Sequence, residues 1–537
     1  MKRRSVLFLV AAAAIFLAFQ FGSSWFGGPK TSLSIVSGSE NKALEPLVRD
    51  WAEDAGVALT MTYLGSVDIS RELAKGKQGA FDAVWPAHSL WIELGDGHKA
   101  VKHQQSILRS PVVLGLRRSI AEQLGWIGRD DVTIAMIAEA ARDDRFRLAV
   151  TSATQSNSGA SAYLGFLYAL AGNPDLLTME DLQDPAVLEA VRDLLSQVDR
   201  SSGSSGWLKE ALVANPDAYD AMMNYEALVL EANRALVAAG EEPLYLVYPA
   251  DGLAVADSPL GYVDKGDPAK EEAFLSLQQR LLSPDVQQTL LDLGRRAGPL
   301  GLLTGKADPA VWNPDWGVDL ERPIAPVPTP EAAVIGEALQ LYQTELRKPS
   351  LTVWVLDTSG SMDGAPLAQL KEAMRLLLDP ESAAVNLLQP SRRDVTIIVP
   401  FNHRVLPAAE AVGADPAELK RLLAQVEGLE ASGGTDLYRA LIAAADALEP
   451  YERNGTLYDY LPAIVAMTDG ASETDNRAAL LAHLRALPFG RDVPIHAIAF
   501  GKADEAQLEE LSRATIGRLF HAKDDLAEAL RSAKGYN

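Results

Sequence analysis

The chain has 537 residues, of which 48% are hydrophobic and 23% charged, a composition typical of folded domains in a chain too long for one hydrophobic core. Its formal net charge of -23 argues against a nucleic-acid or anionic-membrane surface, since such surfaces need clustered Lys and Arg. The absence of Cys excludes disulfides, thiolate nucleophiles, Cys-ligated metal sites and a lipid-bearing Cys.

The N-terminus predicts a membrane anchor. Basic residues at positions 2–4 precede an apolar run over residues 6–19, the pattern of an export signal. Continued through Trp25 and Phe26, the segment approaches the length of about 20 residues that spans a membrane. We therefore expect residues 1–28 to stay as a single-pass anchor, with the bulk of the chain extracytoplasmic. A signal peptide removed at a weak small-residue site is the alternative.

Residues 32–315 alternate short apolar strands with amphipathic helices, which indicates an α/β domain with a mostly parallel sheet. Strands are predicted at 33–36, 57–63, 81–85, 110–116 and 147–150, and helices at 42–54 and 69–75. The Ser- and Gly-rich segment 201–206 predicts a flexible surface loop.

The loops of this region carry the segments Val36-Ser37-Gly38-Ser39, Leu64-Gly65-Ser66, Ser156-Asn157-Ser158-Gly159 and Asn224-Tyr225-Glu226. With these loops the region resembles a bilobal bacterial solute-binding protein of the molybdate and iron type, a type 2 periplasmic binding protein with two crossovers between its lobes. Hydroxyl groups before helix N-termini suit an anion, because free N–H groups point at it there. The candidate ligand-binding residues are Ser37, Ser39, Ser66, Ser158 and Tyr225, and a small anionic solute is the expected ligand.

A Pro-rich linker and helix over residues 316–348 separate this region from the next. Prolines between positions 323 and 330 predict a stiff, extended connector. Thr329 is placed to cap a helix that starts at Pro330 and runs to about residue 346. The apolar face of this helix could pack on either neighbour.

Residues 349–537 form a second α/β alternation. Strands are predicted at 351–356, 395–400, 464–468 and 493–500, and helices at 367–378, 416–426, 437–448 and 476–487. These strands are apolar without alternation, so the sheet is expected to be covered on both faces. His496 falls in one of them and is predicted to be a hydrogen-bonded core imidazole rather than a ligand.

Oxygen-bearing side chains follow two of these strands and open one helix. The segments are Asp357-Thr358-Ser359-Gly360-Ser361, Gly433-Gly434-Thr435-Asp436 and Met467-Thr468-Asp469-Gly470. Open parallel sheets bind ligands at the carboxyl ends of their strands, and short hydroxyl and carboxylate side chains suit a hard divalent cation.

This pattern resembles the metal-ion-dependent adhesion site of von Willebrand factor A domains and integrin inserted domains. The motif of that family, D-x-S-x-S, then Thr, then Asp, maps onto Asp357, Ser359, Ser361, Thr435 and Asp469. The resemblance implies a doubly wound domain with a parallel central sheet that binds Mg²⁺ or Mn²⁺ through these residues. It also implies that an Asp or Glu of a protein partner completes the metal shell.

Because no His or Glu is recognised as a general base beside this site, we expect binding and not catalysis. The sequence thus predicts a membrane-tethered extracytoplasmic binding protein with a cation-dependent protein-interaction domain and a solute-binding domain. The alternative is the substrate-binding receptor of a transport system, and a chelatase-like assembly factor is less favoured.

Overall fold

The computed structural model describes residues 31–301, 307–321, 324–472, 476–522 and 526–536. The expected anchor over residues 1–28 lies outside them. Within the described ranges, no helix combines the length and the apolar character needed to cross a membrane.

The secondary structure is α/β throughout. The strands are β1 (Thr31–Ser37), β2 (Val57–Tyr63), β3 (Ala83–Trp85), β4 (Val101–Ser106), β5 (Ser110–Arg117), β6 (Leu148–Thr151), β7 (Val198–Ser202), β8 (Ala221–Tyr225), β9 (Leu244–Val247), β10 (Val255–Ala256), β11 (Pro259–Val263), β12 (Ser350–Asp357), β13 (Val395–Phe401), β14 (Ala409–Val412), β15 (Leu461–Thr468), β16 (Ile495–Ala499) and β17 (Leu519–His521).

The α-helices of the first part of the chain are α1 (Glu45–Ala55), α2 (Ser66–Ala74), α3 (Leu90–Gly95), α4 (Arg118–Gln123), α5 (Ile134–Arg142), α6 (Asn157–Leu170), α7 (Pro185–Ser196), α8 (Ser205–Ala214), α9 (Glu226–Ala239), α10 (Pro268–Leu281) and α11 (Pro284–Asp292). The connector and the last domain hold α12 (Ala332–Leu341), α13 (Ala365–Leu378), α14 (Pro380–Val385), α15 (Pro416–Glu427), α16 (Leu437–Asp446), α17 (Glu449–Arg453), α18 (Arg477–Ala486), α19 (Glu505–Arg513) and α20 (Leu526–Lys534).

Two lobes make up the first domain. Lobe 1 has a sheet in the order β2-β1-β3-β11-β4, and lobe 2 has the order β10-β5-β8-β6-β7, with β9 also paired to β5. The chain enters lobe 2 between β4 and β5 and returns between β10 and β11. The predicted two-crossover arrangement is therefore confirmed. Each lobe has its own apolar core.

The segment 201–206 is not the flexible surface loop that its composition predicts. Ser201 and Ser202 are buried at the end of β7, and Ser205 begins α8 with 1% of its surface exposed. Ser204 caps that helix, because its side chain accepts a hydrogen bond from the backbone N–H of Trp207. Small hydroxyl side chains pack tightly here, which composition alone does not distinguish from flexibility.

The connector lies against lobe 2. Trp312, Trp316 and Val318 are buried in a lobe 2 cluster, so this part is not a free spacer. The following helix, α12, begins at Ala332 with Glu331 before it and no side-chain cap, so the predicted start at Pro330 with a Thr329 cap is wrong. Its apolar face packs into the core of lobe 2, and the Tyr163 hydroxyl donates to the carbonyl oxygen of Ala338 at 2.8 Å.

The last domain is a six-stranded sheet in the order β14-β13-β12-β15-β16-β17. Its strands run parallel, except that β14 pairs antiparallel at one edge. All eight residues of β12 are buried, as expected for a strand covered on both faces. Helices α16, α18 and α19 cover one face and α13, α15 and α20 the other.

The two domains meet along lobe 2. The Gln155 side-chain amide donates to the carbonyl oxygen of Arg531 at 2.5 Å, and Lys348 Nζ donates to the carbonyl oxygen of Val198 at 3.0 Å. Tyr536, with 3% of its surface exposed, packs edge-on against Trp207 of lobe 2 with ring centroids 5.0 Å apart. The C-terminal segment thus belongs to the contact between domains as well as to the last domain.

Candidate functional site

Two aspartates meet at the carboxyl edge of the last domain's sheet. Asp357 ends β12, and Asp469 directly follows β15. These strands are parallel neighbours, with Leu356 opposite Met467, so their ends lie side by side. The buried apolar strands therefore fix the positions of both carboxylates.

Hydroxyl groups link the two carboxylates. Thr468 Oγ1 donates to Asp357 Oδ2 at 2.6 Å, and Ser361 Oγ donates to Asp469 Oδ1 at 2.7 Å. The Oγ atoms of Ser359 and Ser361 lie 3.1 Å apart. The structure thus brings together four of the five residues predicted from the motif.

Thr435, the fifth predicted residue, lies on a loop fastened to the other two. The backbone N–H of Gly360 donates to the carbonyl oxygen of Gly433 at 2.8 Å, and the Ser472 hydroxyl donates to the carbonyl oxygen of Thr435 at 3.4 Å. Gly433 has a φ of 75°, and a Cβ there would lie 2.3 Å from Nδ1 of His403. A side chain at this position would therefore collide with the His403 ring, and one of the two would have to move.

His403 was not connected to this site from the sequence. Its ring lies against Gly433, on the loop that carries Thr435. The expectation that no His acts as a general base at the site stays a prediction, because His403 contacts the Thr435 loop at Gly433. The sequence signal was faint, because His403 follows β13 by two residues at the same edge of the sheet.

Burial raises the pKa of Asp357, and the neighbouring charge of Asp469 raises it further, whereas hydrogen bonds from Thr468 and Ser359 lower it. The oxygen-rich set of two carboxylates with Ser and Thr hydroxyls suits Mg²⁺ or Mn²⁺. The described residues hold no cluster of three or more His, Cys, Asp or Glu side chains. The set around Asp357 and Asp469 would not count as such a cluster, because its other members are Ser and Thr hydroxyls.

Three of the five residues predicted for the first domain are buried away from the cavity and have hydroxyls that bond within the protein. Ser37 Oγ donates to the carbonyl oxygen of Trp85 at 3.1 Å. The Oγ of Ser158 lies 2.7 Å from Oγ1 of Thr151, and the Tyr225 hydroxyl accepts a bond from Asn157 at 2.9 Å. These buried hydroxyls stabilise the strand ends from within and do not line the cavity between the lobes.

Ser39 and Ser66 do line a cavity of about 620 Å³. Ser39 also joins the lobes, since its Oγ accepts from Ser204 Oγ at 3.0 Å and lies 3.4 Å from Ser205 Oγ. The two lobes are thus in contact at this edge of the cavity. The residues that hold them together come from the segment that the sequence predicted to be a flexible loop.

Glu40 is the residue of this cavity that the sequence analysis missed. Its carboxylate folds back over Gly38, where a Cβ would lie 2.1 Å from Glu40 Oε1. Burial raises the pKa of Glu40 to about 7, although its own backbone N–H and the charge of Arg295 lower it. The available signal was an acidic residue directly after the Gly38-Ser39 turn, at the start of a short helix (Ser39–Leu44).

The chain matches two families. Residues 33–296 match the bacterial extracellular solute-binding proteins, and residues 353–533 match the von Willebrand factor type A domain. Among curated proteins, inter-alpha-trypsin inhibitor heavy chain H2 of Mesocricetus auratus is 31% identical over 124 residues, 23% of this chain and 12% of that protein. The E3 ubiquitin-protein ligase WAV3 of Arabidopsis thaliana is 27% identical over 226 residues, 39% of this chain and 28% of that protein. The chain thus spans a small part of these relatives.

Among solved structures, the ferric binding protein from Campylobacter jejuni has a TM-score of 0.41 at 12% identity, covering 58% of this chain and 98% of that one. The periplasmic molybdate-binding protein of Azotobacter vinelandii has a TM-score of 0.34 at 13% identity, covering 50% of this chain and 100% of that one. The family matches rest on sequence and agree with the bilobal and single-sheet folds described above. The chain therefore joins a domain of the bacterial extracellular solute-binding protein family, residues 33–296, to a von Willebrand factor type A domain, residues 353–533.

Proposed function

We propose that this chain is an extracytoplasmic binding protein whose von Willebrand factor A domain captures a protein partner through a divalent cation. The first domain holds a small solute. Both activities are binding, and neither is proposed to be catalytic. The convergence of Asp357, Ser359, Ser361 and Asp469 at one edge of the sheet is the observation that carries the proposal.

Each of these residues has a role that follows from its position. The hydroxyls of Ser359, Ser361 and Thr435 would bind the cation directly, and Asp357 and Asp469 would hold it or its waters. Bound Mg²⁺ or Mn²⁺ would supply a positive centre for an Asp or Glu of the partner. The hydrogen bond that Ser361 donates to Asp469 keeps the two side chains in place. The backbone bond between Gly360 and Gly433 holds the Thr435 loop beside them.

Calorimetric titration of the full chain with Mg²⁺ and with Mn²⁺ tests the cation site. We expect binding by the wild type and its loss in Asp469→Ala and Thr435→Ala, because each change removes an oxygen ligand but little apolar packing. Asp446→Asn is the matched control, since Asp446 is an exposed acid on the same domain paired with His483. Absence of Mg²⁺ and Mn²⁺ binding in the wild type, or full binding in Asp469→Ala, would overturn the proposal.

The protein partner is tested separately, by capture from solubilised cell envelopes in Mg²⁺ and in EDTA. A partner retained by the wild type in Mg²⁺, and lost both in EDTA and in Asp469→Ala, supports capture through the cation. Retention that is equal in Mg²⁺ and EDTA would show that the partner binds elsewhere on the chain.

Membrane tethering by residues 1–28 remains part of the proposal, and its support is the basic and apolar N-terminal sequence. Fractionation of cells followed by N-terminal sequencing tests it. A mature protein that starts at Met1 and stays with the membranes supports the anchor. A soluble form that starts near Trp25 would favour a removed signal peptide.

The second candidate, a substrate-binding receptor of a transport system, is favoured by the family match of residues 33–296. In this chain, β17 and α20 of the last domain stand beside the cavity, so a permease would have to approach it from another side. Solute uptake that depends on this chain but survives Asp469→Ala would favour the receptor. The small anionic solute expected from the sequence stays a prediction for this cavity, which Ser39, Ser66 and Lys42 line.

A further inference from the structure

Two segments of lobe 2 contact both lobe 1 and the last domain. One is the turn before α6, which contains Gln155, and the other runs from Ser201 near the end of β7 to Trp207 in α8. Both segments border the cavity of about 620 Å³, together with residues of lobe 1 and of the last domain. A shift of either segment therefore acts on lobe 1 and on the last domain at once.

Gln155 touches lobe 1 with its backbone and the last domain with its side chain. A Cβ on Gly65 of lobe 1 would lie 2.3 Å from the carbonyl oxygen of Gln155. On the other side, the side-chain amide of Gln155 donates to the carbonyl oxygen of Arg531 at 2.5 Å. A Cβ on Gly203 would lie 2.1 Å from Gln155 Oε1, and one on Gly535 would lie 1.9 Å from it. The Gln155 side chain is thus enclosed between lobe 2 and the C-terminal segment.

Ser204 makes a second link of the same kind. Its hydroxyl donates to Ser39 Oγ of lobe 1 at 3.0 Å and accepts from the backbone N–H of Trp207 at 3.3 Å. It also forms a hydrogen bond with the hydroxyl of Tyr536 in the last domain. One side chain of lobe 2 is therefore bonded to lobe 1, to its own helix and to the last domain.

Tyr536 anchors this link on the side of the last domain. Its ring packs edge-on against Trp207 of lobe 2 and against Phe520 of its own domain. Burial raises the pKa of the Tyr536 hydroxyl, whereas Arg518 and the hydrogen bond with Ser204 lower it. Arg518 also donates a hydrogen bond to that hydroxyl. The segment that carries Ser204 therefore rests on a buried aromatic ring of the last domain.

The contact between the lobes at this edge of the cavity is made by small polar groups. Ser39 Oγ accepts from Ser204 at 3.0 Å and from the N–H of Gly206 at 3.4 Å, and it lies 3.4 Å from Ser205 Oγ. Such bonds contribute little net free energy, because water forms the same bonds once the lobes part. Water does not replace the aromatic packing on the other side of the segment. The contact with lobe 1 therefore depends on what holds residues 201–207 in place.

We propose that the last domain is a latch for the first domain. Its C-terminal segment, residues 531–536, fixes Gln155 and Ser204 where they hold lobe 1 against lobe 2. Release of that segment lets lobe 1 move away and widens the cavity. Because a coupling free energy is reciprocal, a change in lobe 1 also alters how firmly the C-terminal segment is bound. The latch needs no cation, partner or solute, so its failure would leave the proposed function standing.

The separation of the lobes is measured on the full chain by the distance between two spin labels. Asp50→Cys on α1 of lobe 1 and Glu189→Cys on α7 of lobe 2 provide exposed attachment points, and the chain itself has no Cys. We expect Tyr536→Ala to raise the population with a long distance roughly twofold or more, as is usual for coupled neighbours. Tyr536→Phe, which keeps the ring and loses the hydrogen bonds, should give a smaller rise.

Tyr451→Ala is the matched control, because its ring packs against Tyr460 elsewhere on the last domain. It should keep the distances of the chain that carries only the labels. If Tyr536→Ala and Tyr536→Phe both keep those distances, the last domain does not latch the lobes.

The reciprocal effect is measured by amide exchange in variants of lobe 1. Gly65→Ala collides with the carbonyl oxygen of Gln155, and Ser39→Ala removes the acceptor of Ser204. We expect exchange over residues 526–536 to become roughly twofold faster or more, with α15 of the same domain unchanged. Thr60→Ala, at an exposed position of β2, is the control and should exchange like the wild type.

Ser39→Ala leaves the backbone intact, so it tests the coupling even if Gly65→Ala does not fold. Unchanged exchange over residues 526–536 in Ser39→Ala and in any folded Gly65→Ala would overturn the latch. Equal acceleration in α15 would also overturn it, because the whole domain would then be loosened and not the C-terminal segment alone.

Discussion

Two buried carboxylates, Asp394 at the base of the last domain's sheet and Glu40 beside the cavity between the lobes, differ in how completely they are satisfied. Asp394 Oδ1 accepts from the N–H of Ser350 at 2.8 Å, from Ser391 Oγ at 2.9 Å and from Arg347 Nη1 at 3.1 Å. Burial alone would raise its pKa, but Arg347 and Lys534 hold the pKa of Asp394 at about 2. Glu40 Oε1 has no donor in the described residues, and the pKa of Glu40 rises to about 7.

The comparison separates a carboxylate that holds segments of the fold together, Asp394, from one that lacks such bonds, Glu40. Asp394 joins the end of the connector, the start of β12 and the C-terminal helix, so its bonds stabilise the contact between these segments. Glu40 Oε1 receives no such hydrogen bonds from the described residues, and the opposing charge that acts on Glu40 is that of Arg295. Four measurements follow, from the largest expected effect to the smallest, and the first and the last of them test this contrast directly.

Asp394→Asn should have the largest effect. The change leaves Arg347 and Lys534 buried without their counter-charge, and breaking a buried ion pair in this way costs about 3–5 kcal/mol of unfolding free energy. Urea denaturation of the full chain measures it, with Asp446→Asn as the exposed control. A loss no larger than that of the control would show that the network around Asp394 does not hold the domain together.

Tyr536→Ala should weaken the contact between domains. The ring packs edge-on against Trp207 and Phe520, with both centroid distances 5.0 Å, and removing a buried aromatic ring costs about 3 kcal/mol. We expect faster amide exchange at residues 198–206, in the lobe 2 segment that faces Tyr536. Unchanged exchange there would mean that the polar bonds of the contact suffice without the ring.

Acidification should destabilise the last domain through His496. Burial, together with the charges of Arg200 and Arg518, lowers the pKa of His496 to about 3, below the value of about 6.5 in the unfolded chain. Its contribution to stability is therefore complete above pH 6.5 and is lost as the pH falls, by about 2 kcal/mol between pH 6.5 and 5. His496→Gln, which does not titrate, should remove this slope. Equal slopes in variant and wild type would contradict the prediction.

Glu40→Gln should have the smallest effect, within about 1 kcal/mol and towards greater stability, because it removes a buried carboxylate whose Oε1 receives no hydrogen bond from the described residues. The same urea denaturation measures it. Taken with Asp394→Asn, it compares one chemical change at a satisfied and at an unsatisfied carboxylate. A loss as large as that of Asp394→Asn would mean that Glu40 is a structural residue.

The sequence predicted the last domain well because its signals are local. The predicted strand over residues 351–356 is the core of β12, and the helix predicted at 416–426 is α15, where Asp415 accepts a hydrogen bond from the N–H of Ala417. The motif residues follow buried strands, so the position of the strand also fixes the position of the side chain. His496 is confirmed as a core residue, since its Nδ1 accepts from the N–H of Arg518 at 3.0 Å.

The first domain's cavity was predicted less well, because its chemistry depends on contacts between distant segments. Ser158 and Tyr225 follow the expected loop pattern, yet neighbouring strands and helices bond their hydroxyls. Glu40 gains its environment from Arg295, which lies 255 positions later in the chain. No local sequence pattern shows whether a side chain in these loops will bond inside its lobe or line the space between the lobes.

The two crossovers between the lobes also bear on the order in which this chain can fold during synthesis. Lobe 2 is continuous from β5 to β10, whereas lobe 1 needs β11, which pairs antiparallel with β3 and with β4. The strands β1 to β3 therefore leave the ribosome long before their last partner does, and their apolar edge stays open in the meantime. We expect nascent chains that stop before Pro259 to hold the sheet of lobe 2, still without the helix α12 that packs on its core, beside an unfinished lobe 1 that chaperones recognise.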